Sequence, residues 1–190
     1  MTNGIGSAPI QFTEDEGKFR ELILLITQKS DGDASFGSTK LNKLLFAIDL
    51  LAYGQTGVPV TGFRYMKGQF GPVPKRLVPV REAMISDHHL VIQPRAIGRR
   101  TQQRPVILRN PNVDLFSATE MALIDRVISD FRPANATQIS EWSHGLCGWA
   151  IAEDGADIPY EVVFLSDLPM TAYEAERGRQ LALEKGWDVF

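Results

Sequence analysis

Residues 39–74 read TKLNKLLFAIDLLAYGQTGVPVTGFRYMKGQFGPVP, and this stretch decides the predicted fold. Its first half has helical periodicity and is apolar on nearly every side. One face alone carries Leu41, Leu44, Leu45, Ile48, Leu51 and Ala52. Ser38 or Thr39 can cap the start of this helix, and Gly54 is predicted to end it. We therefore expect a buried central helix around which a domain packs.

A narrow polar seam interrupts this helix at Asn42, Asp49 and Tyr53. A buried carboxylate at position 49 allows two interpretations. Burial shifts carboxylate pKa values, which suits catalysis. A carboxylate that meets a buried arginine or backbone amides instead holds the helix in register with the following segment. We favour the structural role for Asp49, with Asn42 and Tyr53 as candidate hydrogen-bonding neighbours.

The second half of the stretch ends in residues 70–74, FGPVP, which we call the Gly-Pro segment. Two prolines spaced by one residue favour a stiff, extended backbone. In an extended run before it, Phe63 and Tyr65 point one way, and Arg64 and Met66 point the other. Aromatic, Met and Arg side chains are typical of protein interfaces. The alternative is that the aromatic residues of this run, with Phe70, pack on the helix as core.

These residues resemble a known family, the Panacea domain, also called the SocA-like antitoxin domain. The resemblance extends over roughly residues 15–165. It is carried, in order, by KLNKLLF at 40–46, Asp49, Gly57 with VTG at 60–62, the Gly-Pro segment, EMALIDRVISD at 120–130, ISEWSH at 139–144, and Gly148 with Trp149.

The resemblance implies the antitoxin half of a bacterial or phage-borne toxin–antitoxin pair, which neutralises a toxin by direct contact. It implies a toxin partner encoded by the adjacent gene and, in one branch of the family, delivery of the toxin to a protease. Residues predicted to bind the partner are Arg64, Tyr65, Met66, Phe70, Gly71, Pro72 and His144. Residues predicted to be structural are Leu41, Leu44, Leu45, Asp49 and Trp149.

The length of 190 residues fits one domain at 13–190, with a flexible lead-in at 1–12. The predicted fold class is α+β: helix-dominated, around the buried central helix, with a small antiparallel β-sheet or hairpin. One cysteine excludes an internal disulfide and suits a reducing compartment. No apolar run is long enough for a bilayer span, and the N-terminus lacks the pattern of a signal peptide. We expect a cytoplasmic protein.

Other elements follow from caps and periodicity. Three capping boxes are predicted to open helices. Thr13 with Glu16 opens a half-buried first helix, and Ser117 with Glu120 opens an amphipathic helix that Pro133 ends. Thr171 with Glu174 opens a last helix at about 171–185. A helix at about 75–89 is expected to break at Pro79. Residues 90–92 and 105–108 are predicted to form a hairpin with a long connection. A short helix is predicted at 137–144, and residues 158–165 are predicted to be extended.

Residues 58–109 hold ten Lys or Arg and only two acidic residues, although the whole chain has a net charge of −3. Two interpretations are open. The arginines face acidic helices of the same domain, or they form a basic surface for an acidic protein or a phosphate backbone. A nucleic-acid-associated regulator that uses this region is therefore the alternative function, although the low pI makes nucleic acid the less favoured partner.

The sequence contains no phosphate-binding, dinucleotide-binding or nucleophile-elbow motif, so we predict neither an enzyme nor a cofactor. His144 and Cys147 have spacing that two metal ligands can use, but a zinc site needs three or four ligands. No third group identifies Cys147 as a nucleophile activated by His144. We predict no metal site, and a structural or partner-binding role for His144.

Overall fold

The computed structural model describes residues 12–165 together with residues 176, 179 and 180. The predicted lead-in at 1–12 and last helix at 171–185 lie almost wholly outside the described residues. The helices are α1 Glu16–Lys29, α2 Ser38–Thr56, α3 Leu77–Ser86, α4 Ala118–Phe131, α5 Ala136–His144 and α6 Cys147–Ile151, and the strands are β1 Tyr65–Gly68, β2 Gly71–Pro74, β3 Leu90–Ile97, β4 Arg100–Ile107 and β5 Asp157–Ile158. Short 3-10 helices span Val113–Leu115 and Tyr160–Phe164. The predicted α+β, helix-dominated fold class is confirmed.

Helix α2 is the central element, as predicted. Most of its side chains are buried, and it contacts α1, α4, α5, β2, β4 and the 3-10 helix Tyr160–Phe164. The prediction that Gly54 ends this helix was wrong. The helix continues to Thr56, and Gly57 ends it in the left-handed conformation, with φ of 77°. Gly54 instead gives Val163 room, since a Cβ at position 54 would lie 3.0 Å from a Val163 methyl carbon.

Helix α1 is more deeply buried than predicted, with every residue from Glu21 to Thr27 in the interior. Its N-cap is Asp15, whose side chain accepts a hydrogen bond from the backbone N–H of Lys18. The predicted capping box of Thr13 and Glu16 is therefore wrong by two residues. Phe19 of this helix stacks on Phe63 with ring centroids 3.7 Å apart, which fixes α1 against the chain leading into β1.

The strands form two small antiparallel sheets. One has the order β2-β1-β5, and the other is the β3–β4 hairpin. The hairpin is longer than predicted, because residues 95–104 are not a connection. Ile97 pairs with Arg100, so the strands meet at a two-residue turn that contains Gly98, with φ of 58°. Residues on both faces of this tip are exposed, so the sequence lacks the alternation of apolar and polar residues that is typical of a half-buried strand.

The remaining elements confirm some boundaries and correct others. The capping box of Ser117 and Glu120 opens α4 as predicted. Pro79 does not break α3, because the helix begins at Leu77 and Pro79 falls in its first turn, where its missing N–H is not needed. The predicted extended run 158–165 was wrong beyond Ile158, since a 3-10 helix follows it.

A buried lysine and a partly buried arginine hold the loop between α1 and α2 in place. Lys40 Nζ donates to Asp33 Oδ2 at 2.7 Å and to the carbonyl oxygens of Ala134 at 2.5 Å and Arg132 at 3.1 Å. Arg104 on β4 donates to carbonyl oxygens of the same loop, including that of Asp33 at 2.6 Å. The loop, α4 and the β3–β4 hairpin are thereby connected through the start of α2.

Candidate partner-binding site

The Gly-Pro segment forms a rigid hairpin with β1 at the surface of the domain. β2 pairs with β1 from Tyr65↔Pro74 to Gly68↔Gly71, and Phe70 lies in the tight turn between them. Gly71 has φ of 104°, a conformation that favours glycine. A Cβ at this position would lie 2.5 Å from Lys43 Cε and 2.6 Å from Ser143 Oγ. The turn therefore packs directly on α2 and α5, and Phe70 lies at its tip.

Phe70 lines an open groove of about 840 Å³, which we call the Phe70 groove. Its walls are the β1–β2 turn, the start of α2, the tip of the β3–β4 hairpin and one face of α5, and the lining residues are Thr39, Phe70, Arg100, Thr101, Ala136, Thr137, Ser140, Glu141 and His144. A second open cavity of about 320 Å³ shares four of these residues and adds Ile97. The two cavities make one continuous surface between Phe70 and Ile97.

The exposed side chains of this surface are of the kinds that protein interfaces use. Phe70 is 63% exposed and Ile97 is 45% exposed, so both are large apolar groups that face solvent. Arg100 lies between them in both cavities and makes no ion pair with any described residue. Exposed aromatic and aliphatic groups around an unpaired arginine are a common composition for the centre of a binding surface.

The structure distributes the predicted partner-binding residues over three environments. Phe70 and His144 both line the Phe70 groove. Arg64 is exposed but lies beyond the other end of β1, where it forms an ion pair with Glu14. Met66 is half-buried in β1, and Tyr65 is 1% exposed.

Gly71 and Pro72 are also buried, in β2. Of the seven residues predicted to bind a partner, the groove therefore contains only Phe70 and His144.

Asp49 lies at the centre of a buried hydrogen-bond network. Its Oδ1 accepts from the backbone N–H of Thr61 at 2.7 Å, and its Oδ2 accepts from Thr61 Oγ1 at 2.5 Å and from Tyr65 OH at 2.8 Å. These partners belong to the segment before β1, so the network ties α2 to the β1–β2 hairpin. Neither a buried arginine nor the predicted neighbours Asn42 and Tyr53 donate to Asp49 in the described structure. Burial raises the pKa of Asp49 to about 6, although these hydrogen bonds oppose the shift.

Most of the basic region 58–109 is neutralised inside the domain. Six of its ten Lys and Arg side chains form ion pairs with acidic residues, namely Arg64, Lys67, Lys75, Arg76, Arg104 and Arg109. The other four have no acidic partner among the described residues: Arg81, Arg95, Arg99 and Arg100. Three of these four lie at the tip of the β3–β4 hairpin, beside the Phe70 groove.

Beneath the hairpin turn lie four side chains that we call the Lys43 cluster: Lys43, Lys67, His144 and Trp149. The rings of His144 and Trp149 stack with centroids 3.8 Å apart, and Lys67 Nζ lies 4.3 Å from the centre of the Trp149 ring. Lys43 is 1% exposed, and burial lowers its pKa to about 8. Burial and then the charges of Lys43 and Lys67 also lower the pKa of His144.

Three nitrogen atoms of this cluster lack partners in the part of the chain that the structure describes. His144 Nε2 and Trp149 Nε1 are buried without a hydrogen bond, and Lys43 Nζ makes neither a hydrogen bond nor an ion pair there. Lys40, one helical turn earlier, is equally buried but has an acidic partner and carbonyl acceptors. Buried polar groups normally find partners, so this difference between the two lysines needs an explanation.

Among the described residues, no three His, Cys, Asp or Glu side chains are grouped closely enough to hold a metal ion. Likewise, no described helix has both the length and the apolar character that crossing a membrane would require.

Sequence reasoning missed two features of this surface. Lys40 and Lys43 interrupt an otherwise apolar helix, and that contrast was a usable signal of buried cations. Ile97, Arg100 and Thr101 were hidden in the predicted connection between strands. Gly98 at the centre of that connection was the available sign of a tight turn.

The described elements define a helix-dominated α+β domain with an open groove beside a rigid hairpin. The chain belongs to the family described as antitoxin SocA-like, Panacea domain, since the family model matches residues 41–150. The match covers most of α2, both sheets apart from β5, helices α3, α4 and α5, and most of α6. Searches among curated proteins and among solved structures gave no significant match.

The family assignment supports a role in a toxin–antitoxin system, and antitoxin-like families of this kind are generally non-enzymatic.

Proposed function

We propose that this protein is a cytoplasmic, non-catalytic antitoxin that binds its cognate toxin directly and does so through the Phe70 groove. The family supplies the general role. The observation that carries the choice of surface is Phe70, a large aromatic side chain that is 63% exposed on a turn fixed by contacts to α2 and α5. A turn whose backbone is fixed before binding loses little conformational entropy when it docks.

The charge of the groove favours a protein partner with acidic groups at its rim. Among the described residues, Arg95, Arg99 and Arg100 at the hairpin tip have no acidic partner, and Glu141 is the one acidic residue that lines the groove. A partner that places apolar groups on Phe70 and Ile97 and carboxylates near the arginines would match both features. The pairing of six other cations with acidic residues of the domain leaves little of the basic region for a nucleic acid.

Co-expression with the product of the adjacent gene tests the function. We expect that protein to arrest growth alone, this chain to restore growth, and the two to copurify at moderate salt. A harmless neighbour would contradict the proposal. Rescue without copurification would exclude direct neutralisation and leave delivery of the toxin to a protease as the next hypothesis.

The Phe70→Ala variant is expected to weaken the complex at least tenfold, about 1.4 kcal/mol or more, without lowering the stability of the free protein. The physical reason is that an exposed aromatic group loses its contact area only in the complex. Calorimetric titration of the purified partner measures the affinity.

Leu108→Ala is the matched control, because Leu108 is a large apolar residue that is 52% exposed but does not line the Phe70 groove. We expect its affinity to equal that of the wild type. Equal affinities for the wild type and both variants would show that the partner binds elsewhere.

A further inference from the structure

The Lys43 cluster contains donors without acceptors. Lys43 Nζ carries three N–H donors and the indole nitrogen of Trp149 carries one, and neither atom can accept a hydrogen bond. His144 Nε2 can donate or accept, depending on its tautomer. A buried cation with no counter-charge is unfavourable for folding unless something else stabilises it. An anion that accepts from these atoms would supply what the described residues do not.

One member of the cluster, His144, faces the surface of the domain. His144 is only half-buried, and it lines the Phe70 groove as well as stacking on Trp149. Lys43 is joined to the same place through Gly71, whose backbone packs against both Lys43 and Ser143, the residue before His144. The groove therefore meets the cluster at His144, which is the one member of the cluster that lines it.

The charges select the class of anion. Lys67 already donates to the carbonyl oxygen of Ala152 at 2.9 Å and lies 3.9 Å from Asp154, so Lys43 is the one cation of the cluster that has no hydrogen bond or ion pair among the described residues. One unpaired positive charge matches a monoanion better than a doubly charged phosphate. A carboxylate also has two oxygens, which suits an ammonium donor and a separate indole N–H donor.

We infer that Lys43, His144 and Trp149 form a binding site for a carboxylate group. The carboxylate has two possible sources, a small molecule in solution or an acidic side chain of a bound protein. The site does not depend on the proposed antitoxin function, because the unpaired donors belong to the free chain.

The test is an NMR titration with sodium acetate replacing sodium chloride at constant ionic strength and pH 7, observed at the indole N–H of Trp149 and the ring C–H of His144. We expect saturable shifts of both signals in the wild type. Lys43→Met should raise the apparent Kd at least tenfold. Lys29→Met is the control, since Lys29 already pairs with Asp125 on another helix, and its titration should match the wild type.

Two further measurements make the result decisive. Lys43→Met should unfold at the same or a higher urea concentration than the wild type, because it exchanges an unpaired buried cation for an apolar side chain of similar shape. Trp149→Phe keeps an aromatic ring but removes the indole donor. It should weaken acetate binding at least threefold when observed at His144, whether or not Lys43→Met folds.

Raising the pH provides an independent check. The pKa of Lys43 is about 8, so at pH 9.5 its ammonium is mostly lost. The other charged groups that act on His144 in this cluster are Lys67 and Glu141, and the lowered pKa of His144 keeps its ring neutral over this pH range. Acetate binding should therefore weaken at least tenfold between pH 7 and pH 9.5.

A comparison of probes identifies the source of the carboxylate. Binding of N-acetylglutamate amide at least as tight as that of acetate would indicate an acidic side chain of a protein. Binding of acetate alone would indicate a small molecule. No saturable shift, an unchanged Kd in both Lys43→Met and Trp149→Phe, or tighter binding of inorganic phosphate than of acetate would overturn the inference.

Discussion

Lys40→Met is expected to lower the free energy of unfolding by about 3–5 kcal/mol, the range for breaking a buried ion pair by removing one partner. The Lys40 side chain is 1% exposed and that of Asp33 is 8% exposed, so water cannot replace the lost ammonium. The carbonyl oxygens of Arg132 and Ala134 would lose their donor as well. Urea unfolding followed by circular dichroism measures the change.

The control for this prediction is Lys29→Met, which breaks the ion pair with Asp125 at the surface. The two side chains are 31% and 53% exposed, and exposed pairs contribute only about 0–1 kcal/mol. Equal losses in the two variants would show that the network around Lys40 does not hold the loop between α1 and α2. Lys43→Met, three residues further along the same helix, should show no loss, because Lys43 has no partner in the described structure.

Asp49→Asn is expected to remove a large pH dependence of stability. The pKa of Asp49 in the folded protein is about 6, above its ordinary value of 3.8. The folded protein therefore holds a proton that the unfolded chain releases, and this contribution to stability is complete below pH 3.8. It declines as the pH rises through 6, by roughly 3 kcal/mol in total.

Asparagine does not titrate, so between pH 4 and pH 7 the difference in stability between Asp49→Asn and the wild type should shift by about 2 kcal/mol of this total in favour of the variant. The asparagine oxygen can accept from the Thr61 N–H, and the hydroxyl groups of Thr61 and Tyr65 can accept from its NH₂ group. Urea unfolding at several pH values measures the profile. Asp125→Asn, at an exposed position, should follow the wild type. A profile for Asp49→Asn that is parallel to the wild type would contradict the buried titration.

The central helix was predictable because the pattern that indicates it lies entirely within its own sequence. Leu41, Leu44 and Leu45 repeat with helical spacing, and apolar residues on the other faces leave no solvent side. Its end was not predictable. Gly54 gives the usual stop signal, but Val163, more than 100 residues later, packs against it inside the helix.

The candidate site was predictable only in part, for the same reason. Phe70 and His144 were recognisable from local sequence, but the groove between them needs the tip of the β3–β4 hairpin, and no local pattern places Arg100 beside α5. The two carbonyl acceptors of Lys40, those of Arg132 and Ala134, lie more than 90 residues away in the sequence. The contrast between paired Lys40 and unpaired Lys43 therefore becomes visible only in the folded chain.

The most direct test of the central claim is the binding of the purified chain to the purified product of the adjacent gene, at 0.15 M and at 0.5 M salt. Direct neutralisation through an apolar groove predicts a stable complex whose affinity falls less than about tenfold between these conditions. Growth rescue by this chain with no complex at either salt concentration would contradict the account. A complex that forms only at low salt and is unaffected by Phe70→Ala would contradict the assignment of the groove.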